Sequence, residues 1–195
     1  MKIIIHRVNS IDKLKKIPKK YGIEIDIRSQ NKELILHHDP FKKGESFSKW
    51  LNHYDHSFLI LNVKEEGLET KILKLMMKFK IKNFFFLDQS IPFLIKTMKL
   101  PEKRCAIRIS EYESIETVLN FKNKIKWIWV DCFTKLPINV SQYNTLKKAN
   151  FKLCLVSPEL QGVRNKVKIN YYKNKIELLN MHFDAVCTKY REIWE

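Results

Sequence analysis

Short apolar runs alternate along this chain with segments whose apolar residues recur at helical spacing. The runs at residues 2–6, 22–28, 34–38, 58–64, 83–88, 104–109, 126–132, 152–156 and 184–188 predict strands. Between them, residues 11–17 predict a short helix stopped by Pro18, and Ser46 predicts a cap for a turn carrying Phe47, Trp50 and Leu51. Residues 66–80 place Leu68, Ile72, Leu75, Met76 and Phe79 on one stripe. Ser90 before Ile91-Pro92 reads as a helix start with proline in its first turn. Ser110 with Glu113 fits a capping box ahead of Ile115, Val118 and Leu119. Ser141 precedes the set Tyr143, Leu146 and Ala149, and a last helix is expected over about 171–181, through Ile176 and Leu179.

Strands that are apolar throughout, each followed by a helix, predict a parallel sheet covered on both faces. With residues 34–38 counted as an extension of the second strand, eight strand–helix units remain. The expectation is a small, single-domain (β/α)8 TIM barrel over residues 1–195, with short loops, since the common barrel runs to about 250 residues. An open nucleotide-binding sheet is the rival. It is disfavoured because there is no G-x-G-x-x-G turn and no P-loop, and the whole chain holds four glycines.

Composition narrows the class. The chain is 45% hydrophobic and 30% charged, and no apolar run approaches the roughly 18 residues of a membrane span. The opening isoleucines end at His6-Arg7, too soon for a secretory signal, so a cytoplasmic protein is expected. The formal charge of +16 is carried mostly by lysines scattered without a long basic block. Nucleic acid is therefore not the expected partner, but anionic substrates are drawn to such a surface. Cys105, Cys132, Cys154 and Cys187 lie singly in apolar runs, as buried thiols do; no disulfide framework or zinc site is expected.

In a barrel, chemistry collects at the C-terminal ends of the strands. Those ends carry His6 and Arg7; Glu24, Asp26 and Arg28; His38 and Asp39; Asn62 and Lys64; Asp88; Arg108; Asp131; Ser157 and Glu159; and Lys189. Glu24 and Asp26 stand two apart among isoleucines, so they share one face of a strand. Unpaired carboxylates in an apolar core are costly, and two held together call for a hard divalent cation. The bland alternative is a buried ion-pair network with Arg7, Arg28 and Lys64. His6 and His38 frame the pair and suit acid–base work on a phosphate ester. His37, on the opposite parity, is assigned to packing or the surface, and His53, His56 and His182 to bystander positions. Arg7 and Lys64 would neutralise a phosphate; Arg108 would do the same or pair with Asp88. Asp88 and Asp131 are further ligand or supporting candidates, Glu159 is expected in a loop near the pocket, and Trp127 and Trp129 are expected in the core.

Three motifs carry a family resemblance. His6-Arg7 ends the first strand, Glu24-Ile25-Asp26 lies on the second, and His38-Asp39-Pro40 follows, in that order within the first 40 residues. Together they resemble the phosphatidylinositol-phospholipase-C-like phosphodiesterase superfamily, close to the glycerophosphodiester phosphodiesterases. The resemblance implies metal-dependent cleavage of a small phosphodiester, with His6 and His38 as acid–base pair and one Mg2+ or Ca2+ ion held by Glu24, Asp26 and a third-strand acid. Here the family's Glu-x-Lys is Asn62-Val63-Lys64, so Asn62 would supply a neutral oxygen, with Asp88 the other candidate ligand. Val8 stands where glycine is usual, and of the Glu-Asn-Thr segment only Asn9 has a counterpart. Residues 86–92, 108–113 and 156–162 resemble uncharacterised barrels of the same superfamily, some associated with bacterial surface polysaccharide genes. The alternative is a degenerate barrel that binds a phosphorylated ligand without turnover.

Overall fold

The computed structural model describes residues 1–100, 102–163 and 165–195. The chain is an α/β protein that divides into two compact units, Ile5–Glu102 and Lys103–Glu195, the latter joined by Met1–Ile4. The first strand, β1 (Lys2–Ile5), begins the chain.

In the unit Ile5–Glu102, α1 (Ile11–Lys15) is capped by Ser10, whose hydroxyl accepts from Lys13 N. The unit is organised around β2 (Gly22–Gln30), buried from Gly22 to Ile27. β3 (Glu33–Leu36) folds back antiparallel on it, Ile27 opposite Leu36, and β4 (Glu45–Ser46) pairs antiparallel with β3. The helix α2 (Phe47–Leu51) starts at the Ser46 cap. Strand β5 (Phe58–Val63) runs parallel to β2, with Asp26 opposite Asn62, and β6 (Phe84–Leu87) runs parallel to β5. α3 (Glu69–Lys78) and α4 (Ile91–Lys99) follow these two strands, and Pro92 sits in the first turn of α4.

One expectation changes here. Residues 34–38 do not extend the second strand; they begin a hairpin. Asn31 and Lys32 both have positive φ, the two-residue turn that matches the twist of paired strands. β3 then stops at Leu36, so His37 and His38 lie beyond the strand and its alternation no longer assigns their faces.

In the other unit, β7 (Ala106–Ile109), β8 (Trp127–Val130), β9 (Lys152–Val156) and β10 (Ala185–Thr188) pair parallel in that order, and β1 is hydrogen-bonded next to β10. The strands alternate with α5 (Ile115–Leu119), α6 (Val140–Lys148) and α7 (Lys166–Leu178), and α8 (Arg191–Trp194) ends the chain. Helix starts differ from the sequence reading where two polar residues compete. The Ser110 hydroxyl binds Glu113 across a tight turn, and Ser114 caps α5 instead. Asn139 and Gln142 form the reciprocal box that starts α6, not Ser141. Asn165 caps α7, which begins earlier than expected because no apolar period marks its first turn. Glu159, expected in a loop, lies in a short helical turn, the 3-10 turn Pro158–Gln161. It is buried there, accepting from Thr188 Oγ1 at 2.5 Å, Lys189 N at 2.8 Å and the Ser157 hydroxyl. Trp194 Nε1 donates to Ser157 Oγ at 3.0 Å, which ties down the C-terminus.

Each unit has its own core, with Phe84, Phe85 and Phe86 in one and Leu153, Cys154 and Leu155 in the other, all essentially inaccessible. The four cysteines are buried, and none is in a disulfide. Among the described residues no helix is long and apolar enough to cross a membrane.

Glu111 holds the loop after β8. Its carboxylate accepts from Thr134 N at 2.7 Å, Lys135 N at 2.8 Å and Thr134 Oγ1 at 3.0 Å. Desolvation alone would raise its pKa, but these donors outweigh it and hold it at about 2. Its folded value lies below its unfolded one, so the stability it contributes is present above pH 4.5 and is lost as pH falls towards about 2. Urea unfolding across that window should show a smaller loss on acidification for Glu111→Gln than for the parent protein. Equal acid slopes in the two would remove Glu111 from this role.

Candidate active site

The site lies in the unit Ile5–Glu102 and is built outward from β2. Because β2 is buried on both faces and side chains alternate, Glu24 and Asp26 project together, at 1% and 0% exposure. Each has neutral hydrogen-bonding partners. The Glu24 carboxylate accepts from Arg7 N at 2.6 Å and from Asn62 Nδ2 at 2.9 Å. Asn9 grips Asp26 twice: its Nδ2 donates to Asp26 Oδ2 at 2.8 Å and its Oδ1 accepts from Asp26 N at 2.9 Å. Two oxygens remain unmatched. Asp26 Oδ1 and Asn62 Oδ1 are buried without a hydrogen-bond partner among the described residues. Orphaned buried oxygens are rare and costly, and a hard cation satisfies them. Among the described residues no three His, Cys, Asp or Glu side chains group to hold an ion on their own. The donor set that fits one is therefore Glu24, Asp26 and the Asn62 amide oxygen.

Cations border this cluster. Arg7 Nε lies 3.5 Å from Asp26 Oδ2. Lys64 Nζ lies 3.8 Å from Asp26 Oδ1 and donates to Asp88 Oδ2 at 2.8 Å. Asp88 is thus held on the Lys64 ammonium, one side chain removed from the carboxylate pair. Two residues here adopt the left-handed backbone that favours glycine, Arg7 at φ 53° and Asp88 at φ 62°. Lys13 braces the first of these turns by donating to the carbonyls of His6 at 3.1 Å and Arg7 at 2.6 Å. Arg28 works through the backbone: Nε donates to His38 O at 3.0 Å and Nη1 to Lys64 O at 3.1 Å. It ties the end of the hairpin to the end of β5.

The two expected histidines differ in setting. His6 is mostly buried, with Nε2 3.8 Å from Glu24 Oε2. His38 is more exposed, and its Nδ1 lies 2.8 Å from Asp39 Oδ1. The hydrogen bond from His38, with the nearby His38, His37 and Arg7 charges, lowers the Asp39 carboxyl below its ordinary value. A cavity of about 570 Å³ opens here, lined among others by Arg7, Asn9, Lys13, His37, His38 and Asp39. His37 lines it beside His38, with Nδ1 accepting from Asp39 N at 3.0 Å, which corrects its assignment to the opposite face. Arg108 belongs to the other unit, 3.6 Å from Asp131, whose Oδ1 accepts from Gln161 Nε2 at 2.6 Å. His56 Nε2 donates to Ile17 O at 2.9 Å and takes no part in the cluster.

Sequence reasoning underweighted Asn9, Asp39 and His37. Asp39 could have been found, since a carboxylate next to a histidine is a common orienting partner. Nothing local marks Asn9 as the ligand of a strand 17 positions away.

Burial, then the Asp26 charge, raise the Glu24 carboxyl, while the Asn62 amide, Arg7 N–H and Lys64 lower it; the balance is a pKa of about 7. Its folded value thus exceeds the unfolded one. Below pH 4.5 both states are protonated; between 4.5 and about 7 only the unfolded state releases the proton, so stability falls as pH rises, by an order of 3 kcal/mol. Chemical denaturation of metal-free protein over this window should show that fall, and Glu24→Gln should abolish it. A parallel fall in the variant would place the effect elsewhere.

The sequence matches no protein-family model and no curated protein sequence. Solved structures do match. A Galdieria sulphuraria protein assigned as a glycerophosphodiester phosphodiesterase superimposes over all of this chain and 98% of its own, with TM-score 0.74 and 14% identity. A glycerophosphodiester phosphodiesterase from Agrobacterium tumefaciens gives 100% and 98% coverage, TM-score 0.67 and 12% identity. A glycerophosphoryl diester phosphodiesterase from Parabacteroides distasonis gives 96% and 82%, TM-score 0.67 and 11% identity. At such identities the likeness is one of fold, and this chain has the α/β fold of the solved glycerophosphodiester phosphodiesterases.

Proposed function

We propose that this chain is a phosphoric diester hydrolase acting on a glycerophosphodiester-like small molecule with one divalent ion, Mg2+ or Ca2+. The observation that carries the reading is the buried Glu24–Asp26 pair with the unmatched oxygens of Asp26 and Asn62, flanked by His6 and the His38–Asp39 pair. The fold shared with solved glycerophosphodiester phosphodiesterases supports it. We further propose that the fold is a small (β/α)8 barrel and that the protein is cytoplasmic.

Glu24, Asp26 and Asn62 would hold the ion. When bound, it supplies Lewis-acid polarisation of a phosphate oxygen and lowers the pKa of an attacking hydroxyl. The remaining work falls to the chain. Arg7 and Lys64 face the phosphate charge with charge-assisted hydrogen bonds. Asp39 engages His38 Nδ1, which fixes the tautomer in which Nε2 is free to take the nucleophile's proton. His6, beside the Glu24 carboxylate, gives a proton to the leaving oxygen. A substrate with a hydroxyl next to the phosphate, as in glycerol, would use that hydroxyl as first nucleophile and pass through a cyclic phosphate.

Two variant series test this. His6→Ala and His38→Ala should each lose about 10²–10⁴-fold in rate on a generic aryl phosphodiester, the range of general acid–base catalysis. The double variant should be far less impaired than the product of the singles. Full activity in either single removes that histidine from the mechanism; no hydrolysis by the parent protein with either ion favours the binding-only barrel. Separately, Asn62→Glu should tighten Mg2+ or Ca2+ binding in calorimetric titration and slow turnover, because added negative charge weakens the Lewis acid. Unchanged affinity in a folded variant would remove Asn62 from the donor set.

A further inference from the structure

The loop between β3 and β4 carries a feature that catalysis does not use. Phe41 is fully exposed, the most exposed large apolar side chain among the described residues. It also stands at φ +59°, after Pro40, in the turn position that normally takes glycine or asparagine. A bulky aromatic residue is disfavoured there on both counts: the backbone prefers no Cβ, and the ring gains nothing from the fold. Lys42 and Lys43, which follow it, are exposed as well.

The base of this loop is braced. Gly44 packs so tightly that a Cβ there would stand 2.5 Å from Leu36 O. His37 and Asp39 hold each other across the backbone at 3.0 Å, and Arg28 fixes His38 O. The tip is therefore presented by a rigid support next to the cavity that Arg7, Lys13, His38 and Lys43 line. An aromatic ring standing clear of the protein, with lysines beside it, has the chemistry that enters the boundary of an anionic bilayer: the ring seats among acyl chains while the ammonium groups meet headgroup phosphates.

We propose that the Phe41–Lys42–Lys43 tip docks the protein on an anionic lipid bilayer, with the cavity mouth beside the membrane surface. The charge of +16 supplies long-range attraction, and Phe41 supplies the insertion. This docking goes beyond the hydrolase reading and does not depend on turnover.

The test is sedimentation of the full chain with vesicles of phosphatidylcholine, with and without phosphatidylglycerol. The parent protein should pellet with the anionic vesicles only. Phe41→Gly is the informative variant, because glycine suits φ +59° and removes the ring without harming the turn. It should retain thermal stability and bind anionic vesicles about tenfold more weakly. Lys42→Glu should lose more than the roughly fivefold expected for neutralising one lysine. Phe41→Trp should be quenched by brominated lipid more than the parent protein, which reports insertion directly. Absence of binding by the parent protein overturns the proposal. So does full binding by Phe41→Gly, which would mean diffuse adsorption of a basic protein, or unchanged quenching in Phe41→Trp. None of these outcomes alters the hydrolysis assays, so the two readings fail separately.

Discussion

Two carboxylates on one face of a strand buried on both sides cannot both be charged without something positive between or beside them. That constraint shapes the unit Ile5–Glu102. Glu24 and Asp26 take up amide donors from Arg7, Asn9 and Asn62, and they draw Arg7 and Lys64 to their border, yet one oxygen of Asp26 and one of Asn62 remain unmatched. A stable core would replace such a cluster with apolar residues, since buried charge seldom stabilises a fold. Its presence within the buried part of β2, with the left-handed turn at Arg7 beside it, is the observation that the proposed cation site accounts for.

The histidines follow from the same geometry. His6 is brought to Glu24 by the strand that precedes it, its Nε2 3.8 Å from Glu24 Oε2. His38 is carried by a hairpin that folds back on β2, and its orientation rests on Asp39 and on the Arg28 bond to its carbonyl. One histidine thus sits in the buried cluster and the other faces a cavity, an asymmetry suited to different protonation roles.

Much of this was legible in the chain. Strands were visible because parallel strands covered on both faces are apolar throughout, and Glu24 and Asp26 stood out against that background. The hairpin was not legible. Its turn, Asn31-Lys32, lacks the glycine that usually announces such a turn, and strand alternation carried through to residue 38, when β3 ends at Leu36, put His37 on the wrong face. Ser110 and Glu113 satisfied a capping pattern but used it to close a turn, which only the competing cap at Ser114 reveals. Glu159, in a loop-like Ser-Pro-Glu sequence, is buried because Thr188 and Lys189 reach it from a distant strand. In each case local pattern identified the residue's chemistry, and tertiary contact decided its place.

The central claim is that the buried carboxylate pair is a cation site. It is tested most directly by titrating Ca2+ or Mg2+ calorimetrically at about pH 6, in two buffers of different ionisation enthalpy, because ligands must shed their protons to bind a metal. With the Glu24 pKa at about 7, the metal-free site holds close to one proton under these conditions. Binding should therefore release about one proton per ion, and the release should fade as pH rises past 8 or so. Binding without proton release, or no binding of either ion, would contradict the assignment of Glu24, Asp26 and Asn62 as the ion's donors.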